Sequence, residues 1–297
     1  MRICVIFNPT ARGEKARRFR RHLDSIARES ALKATVAAGH ARVLAAEAVR
    51  DGYDTVVAAG GDGTVNEVLN GLGDVQNGFA RARLGVLPLG TINVFARELR
   101  LPLNLLAAWR VIQAGQPISV DLPWAEITVN GQVERRYFAQ LGGAGLDSRA
   151  ISLVDWELKK KYGSLAYVLA GFKAFRGPRA QVDVSDGTQS WRGDLALFGN
   201  GRFYGGKFHV FRNARLQDGQ LHVCVFPKVN LVVLCRAVFG LAVGRLAQAC
   251  GGAYIESASV TLSSSSPVWI ELDGDNVGHL PAKLGILPMG LRVMAKG

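Results

Sequence analysis

Four cysteines in 297 residues, Cys4, Cys224, Cys235 and Cys250, show no C-x-x-C spacing. That excludes a disulfide framework and a cysteine-ligated zinc site, and leaves reduced, buried thiols of a cytosolic protein. His22, His40, His209, His222 and His279 are equally scattered and offer no paired metal-ligand spacing. Internal repeats and low-complexity linkers are missing; Ser263 to Ser266 is only a short loop. No signal peptide is read, because Met1 leads straight into the strand-like Ile3-Cys4-Val5-Ile6-Phe7. A long uninterrupted apolar run is also lacking. The nearest, Leu231 to Ala249, is broken by Arg236 and Arg245, which makes a central transmembrane position costly. It reads as a helix buried in the protein or lining a greasy cleft, in a soluble chain that touches membranes reversibly.

Acidic residues are scarce beside basic ones, 24 against 36, for a formal charge of +12. Residues 1–30 alone carry eight Arg/Lys against three acids, a net of +5, and Lys159-Lys160-Lys161 follows Trp156. Such asymmetry suits an anionic partner: a nucleotide, a nucleic acid or an acidic lipid surface. Basic, solvated helix faces without a partner would look the same. With 48% apolar and 20% charged residues, the composition is that of an ordinary globule with room for two modest domains.

The first 120 residues alternate strand-like segments (Arg2–Phe7, Leu32–Ala37, Thr55–Ala59, Leu84–Leu87) with helical ones (Glu14–Arg28, His40–Asp51, Val65–Leu72, Val94–Leu99, Asn104–Ala114). This pattern predicts a parallel sheet flanked by helices, with ligands at the carboxyl ends of the strands. Each conspicuous turn falls at such an end: Asn8-Pro9-Thr10, Thr35 to His40, Gly60 to Thr64, and Pro88-Leu89-Gly90-Thr91. From about Ile118 alternating segments dominate: Ala125–Val129, Val133–Ala139, Gln181–Ser185, Ser190–Phe198, Leu221–Phe226, Ser259–Leu262 and Val268–Leu272. The turns Asn130-Gly131, Asp186-Gly187, Asp218-Gly219 and Asp273-Gly274 separate them, which predicts a mostly antiparallel β domain. Helical stretches interrupt it near Asp147–Lys161, Ser164–Phe175 and Leu231–Ala249. The expected division is 1–120, 121–280, and a segment 281–297 whose strand Leu291–Ala295 returns to the first domain.

The most informative stretch is Gly60-Gly61-Asp62-Gly63-Thr64, between the apolar strand Thr55–Ala59 and a helix beginning at Val65. Glycines permit a tight turn and close backbone approach, and a helix N-terminus adds its positive dipole end. Asp62 would repel a bare phosphate, so a metal ion or metal-bound water is expected between them. Together these features point to a nucleoside triphosphate with magnesium. Asn66 and Glu67 either brace the loop or reach the ribose, and Glu67 equally favours the helix dipole. In Pro88-Leu89-Gly90-Thr91-Ile92-Asn93, either Thr91 or Asn93 is an N-cap or meets nucleotide.

Gly60 to Glu67, followed by Pro88 to Arg97 and preceded by Asn8-Pro9-Thr10-Ala11-Arg12-Gly13, resembles the diacylglycerol kinase catalytic-domain family, which includes bacterial lipid kinases and the sphingosine and ceramide kinases. Tyr204-Gly205-Gly206, Ala214 to Leu221 and Leu272-Asp273-Gly274-Asp275 resemble further elements of that family, in order. The resemblance implies an ATP-binding α/β domain, a β-sandwich domain and a cleft between them where a lipid hydroxyl meets the γ-phosphate. It implies ATP contacts from Asn8, Pro9, Thr10, Ala11, Arg12, Thr35, Gly61, Asp62, Gly63, Thr64, Val65, Asn66, Glu67 and Thr91. It also implies a structural Mg²⁺ on Asp218 with the carbonyls of Arg215 and Gln220. Asp275 stands at the family's proposed general base, where relatives have glutamate, with Asp273 as the second candidate. Val94 replaces an aspartate of many members, which places more of the catalytic metal's support on Asp62.

The function expected is transfer of the γ-phosphate of ATP to a lipid alcohol of the diacylglycerol kind, with Asp275 and Asp62 catalytic. Docking on an anionic membrane surface would use the basic helix from Glu14 and the lysine run at 159–161, flanked by Trp156 and Tyr162. The alternatives are a soluble-substrate kinase of the NAD kinase type, whose T-P-T-G-S-T-A-Y run is missing, and a catalytically silent nucleotide or lipid sensor. Nucleic-acid binding explains the charge but not the four loops. A homodimer is left open.

Overall fold

The computed structural model describes residues 1–9, 14–114, 116–129, 131–146, 180–204, 206 and 208–295. The chain divides into two compact units, Met1–Leu122 with Pro288–Gly297, and Pro123–Leu287.

The first unit is an α/β layer. In order it contains β1 (Ile3–Phe7), α1 (Glu14–Arg21), α2 (Leu23–Ala27), β2 (Ala31–Ala34), α3 (His40–Arg50), β3 (Thr55–Gly60), α4 (Asp62–Gly73), α5 (Gly78–Arg81), β4 (Arg83–Pro88), α6 (Val94–Glu98) and α7 (Leu105–Ala114). β1 pairs in parallel with β2 and β3, and β3 with β4. These strands are short apolar runs because both sheet faces are covered, so Val5, Val57 and Leu87 are buried. The helix expected over Glu14–Arg28 breaks at His22, whose φ and ψ of −108° and 6° are not helical. α4 begins at Asp62, three residues before the predicted Val65. Gly61 is its extended N-cap, and the Val65 N–H closes the first helical bond on the Gly61 carbonyl at 3.1 Å.

The second unit is an antiparallel β-sandwich. Its elements are β5 (Pro117–Val129), β6 (Gln132–Tyr137), β7 (Leu141–Gly145), β8 (Val182–Ser185), β9 (Ser190–Gly193), β10 (Leu195–Gly199), β11 (Phe203–Tyr204), β12 (Phe208–His209), β13 (Leu221–Phe226), α8 (Leu231–Val243), α9 (Leu246–Ala249), β14 (Ala253–Ser257), β15 (Ser259–Ser263), β16 (Trp269–Leu272) and β17 (Asp275–Met294). β14, β13, β10, β7, β16 and β17 are hydrogen-bonded neighbours in that order, while β17, β15, β8 and β9 form a second run. Phe138, Phe198, Val223, Ile270 and Leu284 meet in its core. The strand expected over Ser190–Phe198 is two strands. A Cβ on Gly193 would lie 2.4 Å from the Phe226 carbonyl, and the buried Asp194 accepts the Val229 N–H at 3.0 Å, so the chain changes partners there. The last strand is much longer than the predicted Leu291–Ala295; its final residues pair in parallel with β4 at Val293 and Leu84. The helices expected near Asp147–Lys161 and Ser164–Phe175 lie outside the described residues.

α3 and α4 pack unusually close at Gly71, where a Cβ would sit 2.2 Å from the Arg42 carbonyl and 2.7 Å from the Ala45 Cβ. Arg42 clamps the same pair by donating to both carboxylate oxygens of Asp74 at 2.6 Å. Gly71→Ala is therefore expected to destabilise the protein by about 1–3 kcal/mol, read as a lowered midpoint of thermal unfolding; an unchanged midpoint would refute the close contact.

Candidate functional site

The glycine-rich turn and the loop after β4 are held together by backbone. The Gly60 carbonyl accepts the Leu89 and Gly90 N–H groups at 2.9 and 3.2 Å. A Cβ on Gly90 would lie 2.5 Å from the Gly61 Cα, so no side chain fits between the two loops. Asn93, in the left-handed region with φ 53°, fastens its own loop. Its Oδ1 accepts the Gly90 N–H at 3.0 Å, and its Nδ2 donates to the Gly90 carbonyl at 2.6 Å. Of the two capping candidates, Asn93 is thus committed to the loop, while Thr91 is exposed. The Lys15 Nζ reaches the same Gly90 carbonyl at 3.2 Å from α1. Burial and the neighbouring Arg97 push the Lys15 amine below its ordinary pKa. Lys15 was not among the residues singled out; a lysine in a basic run carries no sequence signal of its own.

Because α4 starts at Asp62, the N–H groups of Asp62, Gly63 and Thr64 have no acceptor within the helix, and Gly61 has no side chain to cap them. This is a concave, positively polarised backbone edge. Asp62 is half-buried beside it, and its Oδ1 accepts the Phe95 N–H at 3.4 Å. Burial raises its pKa above the ordinary carboxylate value, against the opposing pull of the Phe95, Val94 and Asn93 amides and of its own. A partly desolvated carboxylate facing only neutral amides suits a divalent cation. Among the described residues no three His, Cys, Asp or Glu side chains gather, so an ion at Asp62 would draw its other ligands from water and phosphate, as Mg²⁺ commonly does.

The remaining nucleotide candidates differ in what they can offer. The Thr35 N–H donates to the Phe7 carbonyl at 2.8 Å, placing Thr35 just past β2 beside the end of β1. Asn8 and Pro9 are exposed there, and Thr10, Ala11 and Arg12 lie outside the described residues. Val65 is buried and its amide is already spent, so it packs beneath the loop. The Glu67 Oε2 accepts the Ala41 N–H at 2.9 Å at the start of α3, a helix-bracing role. The Asn66 Oδ1 accepts from Asn70 Nδ2 at 3.1 Å along α4. A cavity of about 290 Å³ adjoins the loop after β4, lined by Lys15, Arg18, His22, Leu89 and Leu105 among others. Of its lining, only the loop residues Pro88 and Leu89 belong to a motif that the sequence reading tied to nucleotide.

In the second unit, Asp273 and Gly274 form the β16–β17 turn with φ of 50° and 99°. The Asp273 carboxylate accepts three amides, from Ala139, Gln140 and Leu141, at 2.7, 3.0 and 3.1 Å. These bonds commit it to structure and argue against a role as base. Asp275 opens β17, opposite Leu272, and is exposed. Between Ala214 and Leu221 the three expected metal residues do share one turn, but through different atoms. Asp218 accepts the N–H groups of Arg215 at 2.8 Å and Gln220 at 3.0 Å, and its Oδ2 lies 2.9 Å from the His222 Nε2. The His222 Nδ1 lies 2.7 Å from the Tyr254 hydroxyl. Burial works against ionisation of Asp218, but the ring and the two amides hold its carboxyl below the usual range. One carboxylate and two peptide carbonyls in a single turn are oxygen donors that fit a hard cation, while His222 secures the turn without one. The spacing of Asp218 and His222 was available in the sequence; nothing in it marked the histidine as a partner.

Residues 2–124 match the model of the diacylglycerol kinase catalytic domain, and residues 142–295 that of the YegS C-terminal NAD kinase beta sandwich-like domain. A diacylglycerol kinase of Staphylococcus epidermidis is 30% identical over 285 residues, covering 94% of this chain and 87% of the relative. One of Staphylococcus aureus is 31% identical over 303 residues, covering 98% and 91%. A solved structure described as a diacylglycerol kinase from Bacillus anthracis str. Sterne shares the fold, with a TM-score of 0.78, 23% identity, and 99% and 97% of the two chains covered.

Two variants test this geometry. Asp62→Asn should raise the thermal midpoint of the ligand-free protein near pH 7. The raised folded-state pKa means that stability from this group falls as pH rises above the ordinary carboxylate value. The gain should shrink as pH falls toward the ordinary carboxylate value, because the wild-type carboxyl takes up its proton more readily when folded; a lower midpoint at both pH values would contradict the desolvation. His222→Phe removes one of the three bonds to Asp218 and the ring partner of the Tyr254 hydroxyl, with a loss of about 2–3 kcal/mol and a fall in midpoint of roughly 5–10 °C, whether or not Mg²⁺ is present.

Proposed function

Because the chain belongs to the diacylglycerol kinase family, and is a lipid kinase on that ground, we propose that it transfers the γ-phosphate of ATP to the hydroxyl of a diacylglycerol-like lipid. The observation that carries this reading is the backbone contact of Gly61 with Gly90 at the uncapped start of α4. It leaves the amides of Gly63 and Thr64 open to phosphate oxygens at a point no side chain can occupy, while the Asp62 amide already meets its own carboxylate.

In this reading those amides and the Lys15 charge bind and orient the triphosphate. Thr35, Asn8 and the exposed Thr91 border the rest of the nucleotide, with Asn66 beside the ribose. Asp62 would hold the catalytic Mg²⁺, directly or through water, and Asp218 with the Arg215 and Gln220 carbonyls a structural one. When bound, the catalytic ion neutralises charge on the β and γ oxygens. The acceptor oxygen attacks phosphorus in line, the bond to the β-phosphate oxygen breaks, and the hydroxyl proton passes to the Asp275 carboxylate. The commitment of Asp273 to three amides favours the exposed Asp275, at the start of β17, as the carboxylate that takes that proton.

We place the enzyme in the cytoplasm, at the surface of an anionic membrane. Among the described residues no helix is long and apolar enough to cross one. On α1, Arg17, Arg18, Arg20 and Arg21 stand exposed around the buried Ala16 and Phe19, although Arg18 also pairs with Glu14. Each such cation contributes about 1 kcal/mol near an anionic lipid surface.

Labelled ATP and Mg²⁺ offered with diacylglycerol, phosphatidylglycerol, sphingosine, ceramide and NAD separate the acceptors. Label should enter a lipid and not NAD, and Asp275→Asn should reduce kcat about 10²–10⁴-fold with a smaller effect on the KM for ATP. Label in NAD alone would establish the soluble-substrate reading, and tight ATP binding with no turnover on any acceptor would establish the sensor.

A further inference from the structure

α8 carries its larger apolar side chain outward. Val233, Ala237 and Leu241 pack against the core of the second unit, while Val232, Phe239 and Val243 are 59%, 67% and 42% exposed. At about 100° per residue, positions 232, 236, 239 and 243 fall on one narrow stripe of the helix. The orientation is fixed by Gly240. A Cβ there would stand 2.8 Å from the Ala249 Cβ and 3.0 Å from the Leu246 Cα. Turning Phe239 inward would therefore break the contact between α8 and α9. Solvent exposure of such a stripe is costly unless something covers it.

Charge indicates what does. From Pro227 to Ile255 the chain holds Lys228, Arg236 and Arg245 and no acidic residue. Arg236 lies within the apolar stripe and Arg245 just beyond its end, both exposed. A second copy of the chain, meeting this face about a two-fold axis, would set the arginines of one copy against those of the other. An anionic bilayer meets both features at once, taking the apolar side chains between its headgroups and pairing the cations with phosphates. We propose that the exposed face of α8 is the membrane-docking surface of this protein, with Val232, Phe239 and Val243 inserted and Arg236 and Arg245 on anionic headgroups. The proposal rests on the reading that the acceptor is a membrane lipid, and it supplies an apolar anchor that a purely basic helix lacks.

The structure also supplies the probe. Cys235 is exposed on the same helix, while Cys4, Cys224 and Cys250 are buried, so an environment-sensitive fluorophore can be attached there selectively. The full chain, without nucleotide, is mixed with vesicles of phosphatidylcholine containing phosphatidylglycerol, or of phosphatidylcholine alone. The wild type should co-sediment with the anionic vesicles, and the label should shift to the blue. Phe239→Asp should weaken partitioning at least tenfold, while turnover on a short-chain diacylglycerol below its micellar concentration stays at the wild-type level. Wild-type partitioning by Phe239→Asp, or a label unmoved by vesicles, would overturn the proposal. So would loss of turnover on the short-chain acceptor, which would assign Phe239 to the acceptor pocket, or a dimer that Phe239→Asp dissolves in light scattering. Because no nucleotide is present in the vesicle assay, failure of lipid phosphorylation would leave its result standing.

Discussion

The approach of two glycines is the constraint on which the candidate nucleotide site depends. Gly61 and Gly90 sit so close that an added Cβ on Gly90 would stand 2.5 Å from the Gly61 Cα, and everything nearby serves that contact. The parallel pairing of β3 with β4 aligns the ends of the two strands at Gly60 and Pro88. The Gly60 carbonyl ties down the following loop, Asn93 closes that loop on itself, and Lys15 fastens it to α1. The result is a helix start whose Gly63 and Thr64 amides have no acceptor inside the helix, with a partly desolvated carboxylate at its side. Both features cost stability, as is common at functional sites, and under the proposed function a triphosphate with its metal would relieve both.

The second unit keeps its chemistry on rigid turns. Asp273 accepts the three amides of residues 139–141, which pins the hairpin that carries Asp275. Asp218 is pinned in turn by two amides and the His222 ring. In each case one aspartate of a D-G turn builds the scaffold. That Asp273 is structural shows in its three amide donors, which a motif cannot reveal.

How far the sequence could be read follows from the range of each interaction. Strand–turn–helix alternation in residues 1–120 is local, so the parallel sheet and its loop-bearing edge were legible, as was the order of the family's motifs. The antiparallel unit was legible from alternation and D-G turns. The split at Gly193 was not, because it arises from contact with Phe226 and Val229, more than thirty residues away. The start of α4 at Asp62 escaped because glycines mask helical propensity. Glu67 bracing Ala41, Lys15 reaching Gly90 and His222 joining Asp218 to Tyr254 are tertiary contacts with no periodic signature. Phe239 illustrates the converse: an apolar run suggested a buried helix, and only the position of Gly240 reveals which side faces out.

Amide hydrogen exchange, followed with and without Mg²⁺ and a non-hydrolysable ATP analogue, tests the nucleotide site most directly. Nucleotide should slow exchange at Gly63 and Thr64, which have no acceptor inside the helix, and at Asp62, whose amide meets only its own carboxylate. If the analogue binds and those three amides exchange as fast as before, the triphosphate lies elsewhere and the function assigned to the paired glycine loops is wrong.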